Sequence, residues 1–211
     1  MNVIPSEPTV FIVEADGPQR DSVNSLLRRE GLQTEAFSSP DELLGNTAAE
    51  RPGCILLDVR QTDAAGTDLQ EHLRSIPEAP PILMLSHDGD VATAVRAMGK
   101  GAFDFIQRPV ADDLLVERVQ AALALNRQRR AELAIHADLR KRLERLSKRE
   151  REVLEIVVAG HSNRVVAERL GISTKTIEVH RAHAMKKMEA RNLASLVKMA
   201  VALEVTPSTP E

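Results

Sequence analysis

Over the first 110 positions short apolar runs recur, and most end on a polar residue. TVFIV at 9–13 runs into Glu14 and Asp16, CILL at 54–57 into Asp58, ILML at 82–85 into Ser86, and 103–106 into Gln107, Arg108 and Pro109. A weaker run lies at 34–37. Between the runs the pattern turns helical. Residues 18–30 place Val23, Leu26 and Leu27 on one side, and Gly31 ends the segment. Ser39-Pro40-Asp41-Glu42 reads as a cap, a proline at the first helical position and a glutamate closing a capping box. Gly66 and Thr67 open another helix, with Gln70 placed for a box, and 91–98 make a further one. Five apolar strands alternating with helices predict a parallel sheet covered on both faces.

After Pro109 the strands stop. No Gly or Pro interrupts 110–145, so one helix of more than thirty residues is expected. Leu114, Leu115, Val119, Ala122 and Leu123 should pack on the sheet. Leu133, Ile135, Leu139, Leu143 and Leu146 form a patchier stripe, and NRQRR at 126–130 breaks any heptad. A short helical dimer contact and a solvated single helix both fit that stripe. Such a rod could set the spacing of two copies of whatever follows it. At 147–188 three shorter helices follow. Ser147 and Glu150 make a capping box, and Val153, Leu154, Val157 and Val158 give an apolar face. Gly160 ends that helix. Ser162 caps the next one, with Val165, Val166, Ala167 and Leu170 inward, and Gly171 makes the tight turn before a cap at Ser173 or Thr174. On the third helix Ile177, Ala184 and Met188 face one way. Lys175, Val179, Ala182 and Lys186 face the other, flanked by Glu178 and His183. Small apolar residues among charges suit a major groove, where lysines meet phosphates, Val or Ala meets a thymine methyl and Glu accepts from cytosine. The plainer alternative is a solvated helix in a small bundle.

Composition sharpens this division. The 211 residues suffice for two small domains and carry a net charge of −3. Residues 1–139 hold 13 Lys/Arg against 22 Asp/Glu, while 140–211 hold 15 against 9, so the halves carry −9 and +6. A basic C-terminal half fits phosphate contact, and an acidic N-terminal half has another task. The absence of Trp and Tyr favours duplex readout over base stacking. No apolar run approaches the roughly 18 residues of a membrane span, and MNVIPSEP lacks signal-peptide regions. Together with the single Cys54, read as a core residue, this predicts a cytoplasmic protein. His72, His87, His136 and His161 are scattered, and His180 with His183 lacks a third metal ligand nearby. Nucleotide-binding loops, a nucleophile elbow and repeats are absent.

In a doubly wound sheet, chemistry sits at the C-terminal strand ends. Those ends bring Glu14, Asp16, Asp58, Ser86 and Arg108 to one rim. Acids often end buried strands simply because chain exits are solvated. The combination of acids, a hydroxyl and a cation is also what a phosphoryl-accepting carboxylate needs, with Asp58 as nucleophile and the other acids holding Mg²⁺.

Two stretches carry a family resemblance. LSKREREVLEIVVAGHSN with ISTKTIEVHRAHAMKKM resembles the LuxR-type helix-turn-helix of FixJ/NarL response regulators. The resemblance implies a four-helix DNA-binding unit, its fourth member near 195–202 and often a dimer surface. It implies Glu178, Val179 and Ala182 at bases, and Lys175, Thr176, His180, Arg181 and Lys186 on or near the backbone. Residues 8–126, with LLDVRQTDAAG, are similar to a receiver domain. That likeness implies Asp58 as phosphoacceptor, Ser86 as the family hydroxyl, Phe105 as the switch aromatic, and Arg108-Pro109 at a Lys-Pro step whose peptide is often cis. It also implies a Mg²⁺ site from Glu14, Asp58 and the Arg60 backbone carbonyl. The chain departs from the family at Ala15, where a metal-ligating acid is usual, with Asp16 one step late. Arg108 replaces a lysine, and Gln61-Thr62 replaces the usual Met-Pro.

The expected organisation is α/β then all-α. A (βα)5 doubly wound receiver at 8–126 is followed by a helical linker at 127–145 and a LuxR-type domain at 146–205, with a disordered tail at 206–211. The expected function is a non-enzymatic, dimeric, DNA-binding response regulator phosphorylated on Asp58 by a sensor histidine kinase. A second mechanism is a degenerate receiver, with Ala15 and Arg108 spoiling the pocket, that binds DNA independently of phosphorylation. A flavin protein on the same sheet would need a phosphate loop after the first strand, and EADGPQRDS is a poor one. A pure interaction protein is the remaining class.

Overall fold

The computed structural model describes residues 7–61, 67–87 and 91–205. The chain divides into two compact units, 1–131 and 132–211. In the first, β1 (Thr9–Val13), α1 (Gly17–Arg29), β2 (Gln33–Phe37), α2 (Pro40–Leu44), β3 (Gly53–Asp58), α3 (Thr67–Arg74), β4 (Ile82–Ser86), α4 (Val91–Gly99) and β5 (Asp104–Gln107) alternate as the periodicity requires. A single helix, α5 (Asp112–Glu144), then runs for 33 residues. The sheet order is β2-β1-β3-β4-β5, every pairing parallel. Every residue of β1, β3 and β4 is buried, which is why those runs are apolar without alternation. Phe11, Ile55 and Leu57 pack towards Leu43 and Leu69 on one face. Ile12, Leu56 and Leu83 pack towards Leu27, Leu115 and Val119 on the other. The order reverses between β1 and β3, the place where a crevice opens at the strand ends. Val13 pairs with Leu57 there, so Glu14 and Asp58 leave the sheet side by side.

Several expectations change in detail. Leu114 is 40% exposed, because the buried face of α5 runs through Leu115, Val119, Ala122 and Leu123 and Leu114 lies to its side. Ile135 is exposed too, so the stripe expected beyond residue 130 shrinks to Leu139, Leu143 and Leu146. The Ser39 hydroxyl caps α2, but the Glu42 carboxylate accepts from Ser38 N and Oγ, one residue before the cap. Gln70 is buried and donates to Ala97 O of α4. Gly66, Thr62 and the 206–211 tail lie outside the described residues.

The polar run that breaks the heptad on α5 has its own work. Asn126 is buried; its Oδ1 accepts from Gly53 N at 3.0 Å and its amide donates to Ala79 O at 3.4 Å. Arg130 donates to Glu50 O and to Glu78. These polar residues therefore fasten α5 to the sheet's rear edge. Asn126→Ala is expected to leave the Gly53 N–H buried and unpaired, costing about 1–3 kcal/mol in urea unfolding.

In the second unit α6 (Lys148–Val158), α7 (Asn163–Leu170), α8 (Thr174–Lys187) and α9 (Leu193–Ala202) form the helical bundle. The Ser147–Glu150 capping box is present. Gly171 turns the chain at φ 65°, a conformation that a side chain would strain. Ser173 caps α8 through Thr176 N, whereas Ser162 makes no side-chain cap bond. Two features were not anticipated: Ile156 joins the core, and Asn192 with Ser195 makes a second capping box at α9.

Candidate functional site

The crevice at the strand ends gathers the predicted rim residues and adds others. Asp58, Glu14 and Ser86 are almost fully buried at the ends of β3, β1 and β4. Phe105 is half-buried on β5, opposite Met84 of β4. The Arg108-Pro109 peptide is cis. Arg108 Nη1 lies 3.5 Å from Glu14 Oε2, and it also donates to Gln19 Oε1 from α1.

Asp16 is not part of the carboxylate cluster. Its side chain accepts from Gln19 N at 3.1 Å and caps α1. An aspartate directly before a helix with proline in its first turn is drawn to that role. Its backbone serves the pocket, with Asp16 N donating to Glu14 Oε1 at 3.0 Å.

Arg60, expected to matter only through its carbonyl, contributes its side chain. Its backbone N and its Nε donate to Asp58 Oδ1 at 2.8 and 3.1 Å, and Nη2 donates to Asp58 Oδ2 at 2.9 Å. The same Nη2 reaches Glu14 Oε1 at 3.4 Å. His87 was set aside as scattered, yet its Nε2 lies 3.9 Å from Asp58 Oδ2 and bonds Gln19 Oε1 at 2.9 Å. Its position immediately after Ser86 at a strand end was the available signal.

These contacts separate the two buried acids. Burial pushes the Glu14 carboxyl up, and facing Asp58 pushes it further, with the Asp16 N–H and Arg108 opposing. Burial alone would raise Asp58 too. Hydrogen bonds from the Arg60 side chain, from Glu14 and from the Arg60 N–H outweigh it and hold Asp58 below the usual aspartate range. The two shifts run in opposite directions, so of the pair Asp58 holds its negative charge more readily.

Receivers use Mg²⁺ at this place. The residues here do not fit it as they stand. Ala15 offers no side-chain oxygen, Asp16 faces the helix start, and a guanidinium lies across both remaining carboxylates. Among the described residues no group of three or more His, Cys, Asp or Glu could hold a metal.

On α8 the inward and outward faces separate as expected. Ile177, Ala184 and Met188 are buried, while Lys175, Glu178, Ala182, His183 and Lys186 are exposed, and Val179 is 48% exposed. Thr176 and His180 are half-buried at the edges. Arg181 is drawn towards α7, donating to Asn163 Oδ1 at 2.5 Å. The flank of α8 that carries His183 and Lys187 is anchored to α6 through Glu150, which accepts from Lys187 Nζ at 2.6 Å and lies 3.8 Å from His183 Nδ1. Arg142, near the end of α5, donates to Met188 O and pairs with Glu189, fixing the far end of α8.

A crevice of buried acids at the strand ends of a five-stranded parallel sheet, followed by a helix-turn-helix, defines the class: response regulators that act on transcription through a DNA-binding domain. Residues 10–120 match the family described as "Response regulator receiver domain", and residues 144–200 match "Bacterial regulatory proteins, luxR family". The chain is 38% identical to transcriptional regulatory protein FixJ of Rhizobium meliloti over 95% of its own length and 98% of that protein's. It is also 38% identical to nodulation protein W of Bradyrhizobium diazoefficiens, covering 96% and 89%. Among solved structures it is similar to the response regulator StyR, with TM-score 0.82, 34% identity, and 93% and 99% of the two chains covered. The chain belongs to the response regulators of the FixJ type, with a receiver and a LuxR-type DNA-binding domain. Among the described residues no helix is long and apolar enough to cross a membrane.

Proposed function

We propose that Asp58 is the phosphoacceptor of this regulator, and that its phosphorylation by a sensor histidine kinase controls homodimerisation and operator binding in the cytoplasm. The observation that carries the reading is the buried Asp58 at the end of β3, held by Arg60 and one strand from the Ser86 hydroxyl. Arg108, beside Glu14, supplies a second cation for phosphoryl oxygens. The test exposes the full chain and Asp58→Ala to acetyl phosphate with Mg²⁺, reading intact mass and size. The expected result is one added phosphoryl group and dimer formation in the wild type alone. If both proteins stay unmodified yet retain operator DNA, the receiver is a phosphorylation-independent module, the reading that Ala15 favours.

The same proposal assigns the exposed face of α8. Glu178, Val179 and Ala182 read base edges in the major groove, and Lys175 and Lys186 meet phosphates, with Thr176, His180 and Arg181 at the margins. The asparagine on Arg181 leaves part of its guanidinium for a phosphate. Lys186→Ala should weaken binding to all sequences alike and reduce the salt slope by about 1. Glu178→Ala or Val179→Ala should relax preference at one base pair by about 1–3 kcal/mol. Footprinting across a salt series separates these effects, and uniform losses in all three variants would remove the docking assignment.

A further inference from the structure

We propose that Arg60 is the resident cation of the Asp58 pocket: its guanidinium takes the place that a divalent ion takes in receivers, and phosphoryl transfer to Asp58 proceeds without Mg²⁺. The second half rests on Asp58 being the phosphoacceptor; the first does not.

Three independent features meet here. Three of the four oxygens that a hard cation would use on Glu14 and Asp58 are already committed. Arg60 covers Asp58 Oδ1 twice and Oδ2 once, and reaches Glu14 Oε1. The position that should add a carboxylate is Ala15, and the neighbouring Asp16 spends its side chain capping α1. A second fixed cation, Arg108, sits 3.5 Å from the other Glu14 oxygen, which has no hydrogen-bond partner. Mg²⁺ demands near-octahedral oxygen ligation and gives up its water reluctantly, so two carboxylates already bridged by a guanidinium are a poor exchange for its hydration shell.

A guanidinium can do part of a metal's work. It is planar, stays charged, and donates in a fork that fits two phosphoryl oxygens. Its side chain is half exposed, so it can follow the incoming group. In the transfer, Asp58 Oδ2 attacks phosphorus of the donor. The bond from phosphorus to the acetate oxygen of acetyl phosphate breaks and its electron pair leaves with acetate. The aspartyl phosphate that forms carries the charge that Arg60 and Arg108 then face.

The test has two arms, each on the full-length chain. Free Mn²⁺, standing in for Mg²⁺, is followed by electron paramagnetic resonance against wild type, Arg60→Met, Ala15→Asp and the double variant. Phosphorylation by acetyl phosphate is followed by intact mass in Mg²⁺ and in EDTA. The wild type is expected to show no saturable Mn²⁺ site and to be phosphorylated at rates within about twofold in the two buffers, whereas the double variant binds Mn²⁺ at least about tenfold tighter and loses phosphorylation in EDTA. Arg60→Met alone should lose the EDTA-resistant reaction, and Arg60→Lys should recover part of it. Melting curves confirm that each variant is folded, and Arg60→Gln replaces Arg60→Met if the latter is not. Wild-type Mn²⁺ binding as tight as that of the double variant overturns the proposal, as does EDTA-resistant phosphorylation of Arg60→Met at the wild-type rate. If the wild type gains no phosphoryl group in either buffer, the phosphoacceptor reading falls and the catalytic half falls with it. The Mn²⁺ arm then still decides whether Arg60 holds the cation's place.

Discussion

Gly53→Ala is expected to unfold the receiver at a far lower urea concentration than the wild type, with a loss of about 3 kcal/mol or more. Gly53 begins β3 opposite Thr9 of β1. A methyl group placed on it would stand 2.0 Å from Thr9 O and 2.8 Å from a Phe11 ring carbon. Neither neighbour can retreat. Thr9 O is backbone in the central ladder, and the fully buried Phe11 ring packs in one core face. The same residue offers its N–H to Asn126, so any shift of the strand also breaks the clamp on α5. Set against the roughly 5–15 kcal/mol of a whole domain, the loss is a large fraction. Hydrogen exchange at the β1 and β3 amides is the direct readout. Protection within a few-fold of wild type would mean that the β1–β3 pairing can open to admit a methyl group.

The second large effect is at Glu150. One carboxylate closes the α6 capping box on Ser147 N at 2.7 Å, accepts from Lys187 of α8 at 2.6 Å and lies beside His183. Glu150→Ala should cost about 2–3 kcal/mol, combining a lost cap with a lost charge-assisted bond. Because it also frees the end of α8, it should weaken operator binding without touching an outward residue. Burial tends to raise this carboxyl, but Lys187 and the Ser147 bonds hold it below the usual glutamate range. A depressed folded value stabilises the fold above the unfolded value of about 4.3, and this contribution is lost as pH falls from there through the folded value. A helical melting midpoint that drops across that window in the wild type, and stays flat in Glu150→Gln, is the expected pair of curves. Parallel curves would place the acid sensitivity elsewhere.

Most of the architecture was legible because burial on both faces writes itself into sequence. β1, β3 and β4 are continuous apolar runs, and their terminal residues name the rim. β2, with only Phe37 of its five residues buried, was correspondingly faint. The helix-turn-helix was legible through caps and a turn glycine, whose chemistry is local. The pocket was harder to read because its decisive contacts cross the fold. Nothing in DVR announces that the arginine folds back over the aspartate, since that depends on Glu14, 46 residues earlier in the chain. Asn126 read as a fault in a heptad because its partner, Gly53, is 73 residues away. Asp16 was ambiguous for the opposite reason: an acid before a helix can serve either the cap or the rim, and only the geometry separates them.

Phe105 has an optical consequence. The chain has neither Trp nor Tyr, so it is nearly dark to near-ultraviolet fluorescence. Phe105 is half-buried on β5, opposite Met84 and two strands from the aspartate-bearing β3. An indole introduced there would be the sole emitter in the molecule. Its spectrum would report the surroundings of the crevice in the full-length regulator, with no background to subtract and no dye to attach.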